Sequence, residues 1–138
     1  MPRILAIDFG MKRTGIAVTD NLKMIATALD TVPTKEVIIF LKKYFAKEDV
    51  ELVLIGKPVN LDNTEQEIEK SIQSFIVDLK NNFPDLKIER ADERFTSKIA
   101  KQTILDSGIK KMARRNKSLV DKVSATILLQ SYLEISGK

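Results

Sequence analysis

Three acidic stretches stand where an α/β chain could gather its chemistry. Asp8 closes the apolar run Arg3-Ile4-Leu5-Ala6-Ile7. That run reads as a buried strand, and an unpaired charge at its end must find a partner or neutralise. The partner could be backbone in an Asx-type turn, or a metal ion. Asp92 ends the expected fifth strand, "LKIERAD" at 86–92, and Glu93 and Arg94 follow it. They could equally serve as charges favoured at a helix N-terminus. Asp121 falls in Ser118-Leu119-Val120-Asp121, which fits a capping box. It also shares a stripe with Ala125, Leu128 and Tyr132 at helical spacing. The stripe is otherwise apolar, so Asp121 is expected to face the sheet.

The 138 residues include no histidine and no cysteine. Histidine general bases, thiolate metal sites and Ser-His or Cys-His nucleophiles are therefore excluded. Carboxylates from two strand ends and a helix can converge, and hard cations such as Mg²⁺ or Mn²⁺ prefer such oxygen ligands. Two ions roughly 3.5–4 Å apart can hold the attacking and leaving oxygens of a phosphoryl displacement. The formal net charge is +4, which favours a polyanionic partner. "KKMARRNK" at 110–117 concentrates Lys110, Lys111, Arg114, Arg115 and Lys117 just before the Asp121 helix. It could be a solvated loop, or it could grip a phosphate backbone. Lys12, Arg13 and Lys57 could extend the same rim. Aromatic residues make up 6% of the chain, and none interleaves with the basic run. Backbone contact to structured or duplex nucleic acid is thus expected over base stacking.

The elements that must position these groups follow from periodicity. Strands are expected at 3–8, 15–20 and 24–32, the first two as an antiparallel hairpin. Thr34 is expected to cap a helix reaching about Lys47. "ELVLIG" at 51–56 reads as a buried parallel strand. Thr64 and Glu67 fit a capping box for the next helix, and 86–92 is a fifth strand. Thr96 or Ser97 would open a helix ending at Gly108, and the last helix runs from Ser118 to about Ile135. The order, βββαβαβα with a further helix, predicts an α/β fold. It has a five-stranded mixed sheet with helices on both faces. A single domain spanning 1–138 is expected. Sites in such sheets gather at the C-terminal ends of parallel strands, here "DFG", "GKPVNLDNTEQ" and "DERFTS". No apolar run approaches the ~20 residues of a membrane span. "MPRILAIDFG" shows no signal-peptide pattern. A cytoplasmic protein, monomeric or weakly dimeric and without a membrane partner, is the expectation.

"DFGMKRTGIAV" at 8–18, "GKPVNLDNTEQ" at 56–66, "DERFTS" at 92–97 and "VDKVSATILLQSYLE" at 120–134 occur in one order across the chain. Together they resemble the YqgF family, described as Holliday-junction-resolvase-like proteins or pre-16S rRNA nucleases. The resemblance implies a ribonuclease H-like fold and a divalent-metal-dependent phosphodiester hydrolase. Asp8, Glu93 and Asp121 would be its acidic trio, binding Mg²⁺ or Mn²⁺, two ions with substrate bound. It implies 5′-end processing of precursor 16S rRNA, with the small-subunit precursor as partner; a DNA four-way junction is the alternative substrate. Asn60 and Arg94 fall within the motifs and would join the basic residues in holding nucleic acid. Asn63 stands where relatives usually carry glycine, a position asparagine can serve in a left-handed turn. Lys57 replaces a commonly apolar residue.

Two further classes remain open at this point. The actin and sugar-kinase fold also opens with "DxG" and a hairpin, but its ATP sites lie between two domains. A non-catalytic RNA- or ribosome-binding protein of the same fold would also use the basic run.

Overall fold

Alternation along the first strand sets the architecture. In β1 (Arg3–Asp8), Leu5 and Ile7 belong to one buried cluster, and Ile4 and Ala6 to another. A strand that is apolar on both sides needs cover on both faces. The computed structural model describes residues 2–20, 25–57, 63–92 and 117–135. The remaining elements are β2 (Arg13–Thr19), β3 (Ala26–Pro33), α1 (Val37–Lys47), β4 (Val50–Lys57), α2 (Asn63–Asn82), β5 (Lys87–Asp92) and α3 (Lys117–Ile135).

The sheet runs β3-β2-β1-β4-β5. β1 pairs antiparallel with β2 and parallel with β4, and β4 pairs parallel with β5. The mixed five-stranded sheet expected from the element order is therefore present. On one face, Val37 and Leu41 of α1 and Ile72, Phe75 and Leu79 of α2 pack onto Leu5, Ile7, Val53 and Ile55. Each fully buried aliphatic side chain there is worth about 1.5–3 kcal/mol. On the other face, Ala125, Leu128, Leu129 and Leu133 of α3 cover Ile4, Ala6, Leu52 and Leu54. Ala6 and Ala17 sit under that helix, and such small residues allow the helix a close approach to the sheet.

Several boundaries differ from the sequence expectation. β2 starts at Arg13, two residues before Gly15, because Arg13 and Thr14 pair with Pro33 and Val32 of β3. Thr34 does not cap α1. A 3-10 turn at Thr34–Glu36 leads into the helix, and neither it nor α1 has a side-chain cap hydrogen bond. The Thr34 hydroxyl is engaged elsewhere: it donates to the Gly10 carbonyl at 2.5 Å. α2 begins at Asn63, one residue ahead of the Thr64 expected to cap it. The helix expected at about 96–108 and the basic run 110–116 lie outside the described residues.

Candidate active site

β1, β4 and β5 are parallel neighbours, so their C-terminal ends share one edge. Asp8 ends β1, Lys57 ends β4 and Asp92 ends β5. Two of these ends differ in the face they address. Ile7 packs on the α1–α2 side, and Phe9 meets Phe75 of α2 at a ring-centroid distance of 5.4 Å. Asp8, between them, is therefore on the α3 side. Lys57 follows Val53 and Ile55 in parity, placing it on the α2 side, where its charge acts on Glu69.

The neighbours of half-buried Asp8 are small. It pairs with Gly15 of β2, and Gly15 pairs with Thr31 of β3. Ile7 pairs with Ile55, which sets Gly56 beside Asp8 on β4, and Gly56 pairs with Ala91 of β5. Adjacent strands lie about 4.8 Å apart. A side chain at either glycine would fill the space flanking the carboxylate.

The turn after Asp8 is fixed by Thr34. Besides the bond to Gly10, the Thr34 backbone N–H donates to the Lys12 carbonyl at 3.0 Å. The buried Thr14 hydroxyl lies 2.9 Å from that of Thr34. The Thr34 proton is committed to Gly10, so Thr14 is the donor. Gly10 tolerates no side chain: a Cβ would collide with the Arg13 carbonyl oxygen. Lys12 is exposed in this turn and Arg13 half-buried at its end.

The adjoining strand ends are braced from the opposite face. Arg90 of β5 forks onto Glu69 of α2 at 2.7 and 2.9 Å. It also donates to the Gly56 carbonyl at 3.0 Å. The Arg90 hydrogen bonds hold the Glu69 carboxyl down to about 2, against the opposing effect of burial. Gln73 adds a further donor to Glu69 at 2.6 Å. Arg90 thereby ties together α2, the end of β4 and β5.

α3 is anchored at its far end. Gln130 accepts from the Ala26 N–H at 2.9 Å. Ala26 pairs with Thr19, whose hydroxyl accepts from Ile4 N–H, near the start of β1. Tyr132 donates to Glu89 of β5 at 2.9 Å. Burial, with the Glu89 bond and the Glu51 charge, pushes the Tyr132 phenol above its ordinary range. It therefore remains a donor at neutral pH. From Gln130 back to Asp121 is nine helical residues, about 13 Å of rise. From Ile4 to Asp8 is four strand residues, also about 13 Å.

Among the described residues, no three ligating side chains gather at metal-binding spacing. Asp8 is the member of the expected trio whose side chain is described. Asp121 is described in its backbone, in the first turn and a half of α3, and Lys117 begins that helix. Glu93, Asn60, Arg94, Lys110, Lys111, Arg114 and Arg115 lie outside the described residues. Sequence reasoning missed Thr14, Thr34, Glu69 and Arg90 as the groups that hold this edge. No local signal set Arg90 apart, since the strand also carries Lys87, Glu89 and Asp92.

This sheet order defines a ribonuclease H-like α/β fold. Two solved structures share the fold across nearly the whole chain. One is Thermus thermophilus RuvC in complex with a Holliday junction substrate (TM-score 0.61, 13% identity, covering 99% of this chain and 97% of that one). The other is T. thermophilus RuvC alone (TM-score 0.58, 14% identity, 97% and 96%). More narrowly, residues 2–135 match the family model described as RuvX, Holliday junction resolvase, and the chain belongs to that family. A relative from Flavobacterium johnsoniae is 57% identical over 133 residues, spanning 96% of each chain. One from Flavobacterium psychrophilum is 56% identical, spanning 96% of this chain and 97% of the relative. Both carry the name "Putative pre-16S rRNA nuclease". The family resemblance seen in the motifs is thus established. No helix among the described residues is long and apolar enough to cross a membrane.

Proposed function

We propose that this chain is a divalent-metal-dependent endonuclease acting on structured RNA, with the 5′ end of precursor 16S rRNA as its target in the cytoplasm. The observation that carries this reading is Asp8 at the end of the central strand, flanked by Gly15 and Gly56, on the face covered by α3. The family resemblance supports Glu93 as its partner. Within β5, Glu89 and Ala91 address α3, the face of Asp8, whereas Arg90 addresses α2. The matching rises along α3 and β1 support Asp121 as the third member.

An all-carboxylate donor set suits Mg²⁺ or Mn²⁺, and the glycine-flanked space beside Asp8 suits an ion between it and its neighbours. A bound ion would supply Lewis-acid stabilisation of phosphoryl charge and a more acidic water. Asp8, Glu93 and Asp121 would hold the metal and orient the scissile phosphate in line. Lys12 and Arg13, with Arg94 and the 110–117 run, would neutralise the flanking backbone, and Asn60 would hydrogen-bond to it. Lys57, on the α2 side, would contact phosphates at the rim. No covalent protein intermediate is required.

The test is cleavage of a labelled precursor 16S 5′-leader RNA and of a DNA four-way junction. Each is incubated with Mg²⁺ or Mn²⁺ and with wild type or Asp8→Asn. Metal-dependent cutting of the RNA alone, lost in the variant and in EDTA, is expected. Cutting of the junction alone would move the substrate to DNA. A fully active Asp8→Asn variant would remove Asp8 from the chemistry. Cutting of neither substrate, with RNA binding intact, would favour the non-catalytic RNA-binding reading.

A further inference from the structure

The turn between β1 and β2 carries a feature that phosphate chemistry does not use. Met11 is 59% exposed, three residues after Asp8. An exposed methionine on a loose loop would mean little, but this turn is held on both sides of Met11. The Gly10 carbonyl before it accepts from the Thr34 hydroxyl at 2.5 Å, and the Lys12 carbonyl after it accepts from the Thr34 N–H at 3.0 Å. Thr14 braces the same hydroxyl, and Gly10 packs too closely on Arg13 to admit a side chain. Met11 is thus an apolar side chain projected to solvent from a pinned backbone, with Lys12 and Arg13 following it.

We infer that Met11 is a contact for a nucleobase lifted out of the stack beside the cut site. The inference builds on the nuclease reading above and narrows its substrate class to RNA with an unpaired nucleotide in an otherwise paired segment. Three properties favour a base over a sugar or phosphate. The thioether is polarisable and gains from contact with an aromatic face. Apolar side chains, methionine among them, serve as wedges that unstack bases in nucleic-acid complexes. Structured RNA is read chiefly where bases are splayed out of the helix. The adjacent cations would engage the backbone on either side of the displaced base. Thr34 acts as a positioning residue, through the turn alone.

Binding tests this independently of cutting. The probes are an RNA duplex with one bulged 2-aminopurine nucleotide and the same duplex fully paired, titrated by fluorescence in Ca²⁺. Wild type should bind the bulged duplex about two- to twelvefold more tightly, the range set by a sulfur–aromatic contact. Met11→Ala should bring that ratio to about one with paired-duplex affinity unchanged. Met11→Leu should keep most of the preference, because shape and apolarity survive. Thr34→Val, which keeps Met11 but loses the hydroxyl clasp, should reduce the ratio partway. Equal wild-type affinity for the two duplexes, a preference that survives Met11→Ala, or binding to neither probe would overturn the inference. Absence of cleavage with any metal would instead overturn the nuclease reading while leaving this titration to decide the role of Met11.

Discussion

Replacing Glu69 by glutamine isolates the ionic part of the brace beneath the candidate site. Glutamine keeps an oxygen for Arg90 and nearly the same volume, so the main loss is charge. In the folded chain the Glu69 carboxyl is held down to about 2 from an ordinary 4.5, chiefly by its Arg90 bonds. A tenfold change in proton affinity corresponds to about 1.4 kcal/mol, which sets a ceiling of about 3 kcal/mol. The Glu69 and Arg90 side chains are 22% and 21% exposed, and solvent screens such a pair. About 1–2 kcal/mol is the expected contribution. The sign follows from linkage. The folded pKa lies below the unfolded one, so the unfolded state binds more protons between about pH 4.5 and 2. The stabilisation is complete above that window and lost as pH falls through it. Urea unfolding of wild type and Glu69→Gln at pH 7, 5, 4, 3 and 2.5 measures it. The two curves should differ by about 1–2 kcal/mol at pH 7 and converge toward pH 2. A constant difference across the window, or none at pH 7, would refute the charge-based account of the brace.

Other substitutions probe the same edge. Gly10→Ala forces a Cβ against the Arg13 carbonyl, so the hairpin must shift; a lower Tm and loss of RNA cleavage are expected, with little change in far-UV circular dichroism. Tyr132→Phe removes the hydroxyl that donates to Glu89 and should cost about 0.5–1.5 kcal/mol, read by urea unfolding. Leu129→Ala empties a fully buried position under α3 and should cost about 2–5 kcal/mol by the same measurement. Asp8→Asn should fold with a near-wild-type Tm while abolishing metal-dependent cutting.

How far the sequence could be read depended on the range of the interactions involved. β1, β4 and α3 were legible because each carries its own apolar period: Ile4, Leu5, Ala6 and Ile7 are buried, and so is the α3 stripe through Ala125 and Leu128. The parallel edge followed from element order alone. Thr34 was misread because a threonine ahead of an apolar helix usually caps it, whereas here its hydroxyl reaches back 24 residues to Gly10. Arg90 and Glu69 are 21 residues apart, and no local pattern joins them. Residues that act across such separations become visible only once the sheet is assembled.

The assembled sheet also supplies a constraint that composition could not. Asp92 and Glu93 are adjacent carboxylates at one strand end, and by charge alone either could join Asp8. Within β5 the even position 90 is committed to α2 through the Arg90–Glu69 fork, and the odd positions 89 and 91 to α3 through Tyr132 and the second core cluster. Asp8 addresses α3 as well. Of the odd positions in β5 that face α3, Glu89 is bonded to Tyr132 and Ala91 offers no ligand. The proposed second ligand is therefore Glu93, the residue that the family motif supplies. Glu93→Gln is expected to abolish cleavage, whereas Asp92→Asn retains at least about a tenth of wild-type activity. An Asp92→Asn variant as inactive as Glu93→Gln, with its Tm unchanged, would refute that choice.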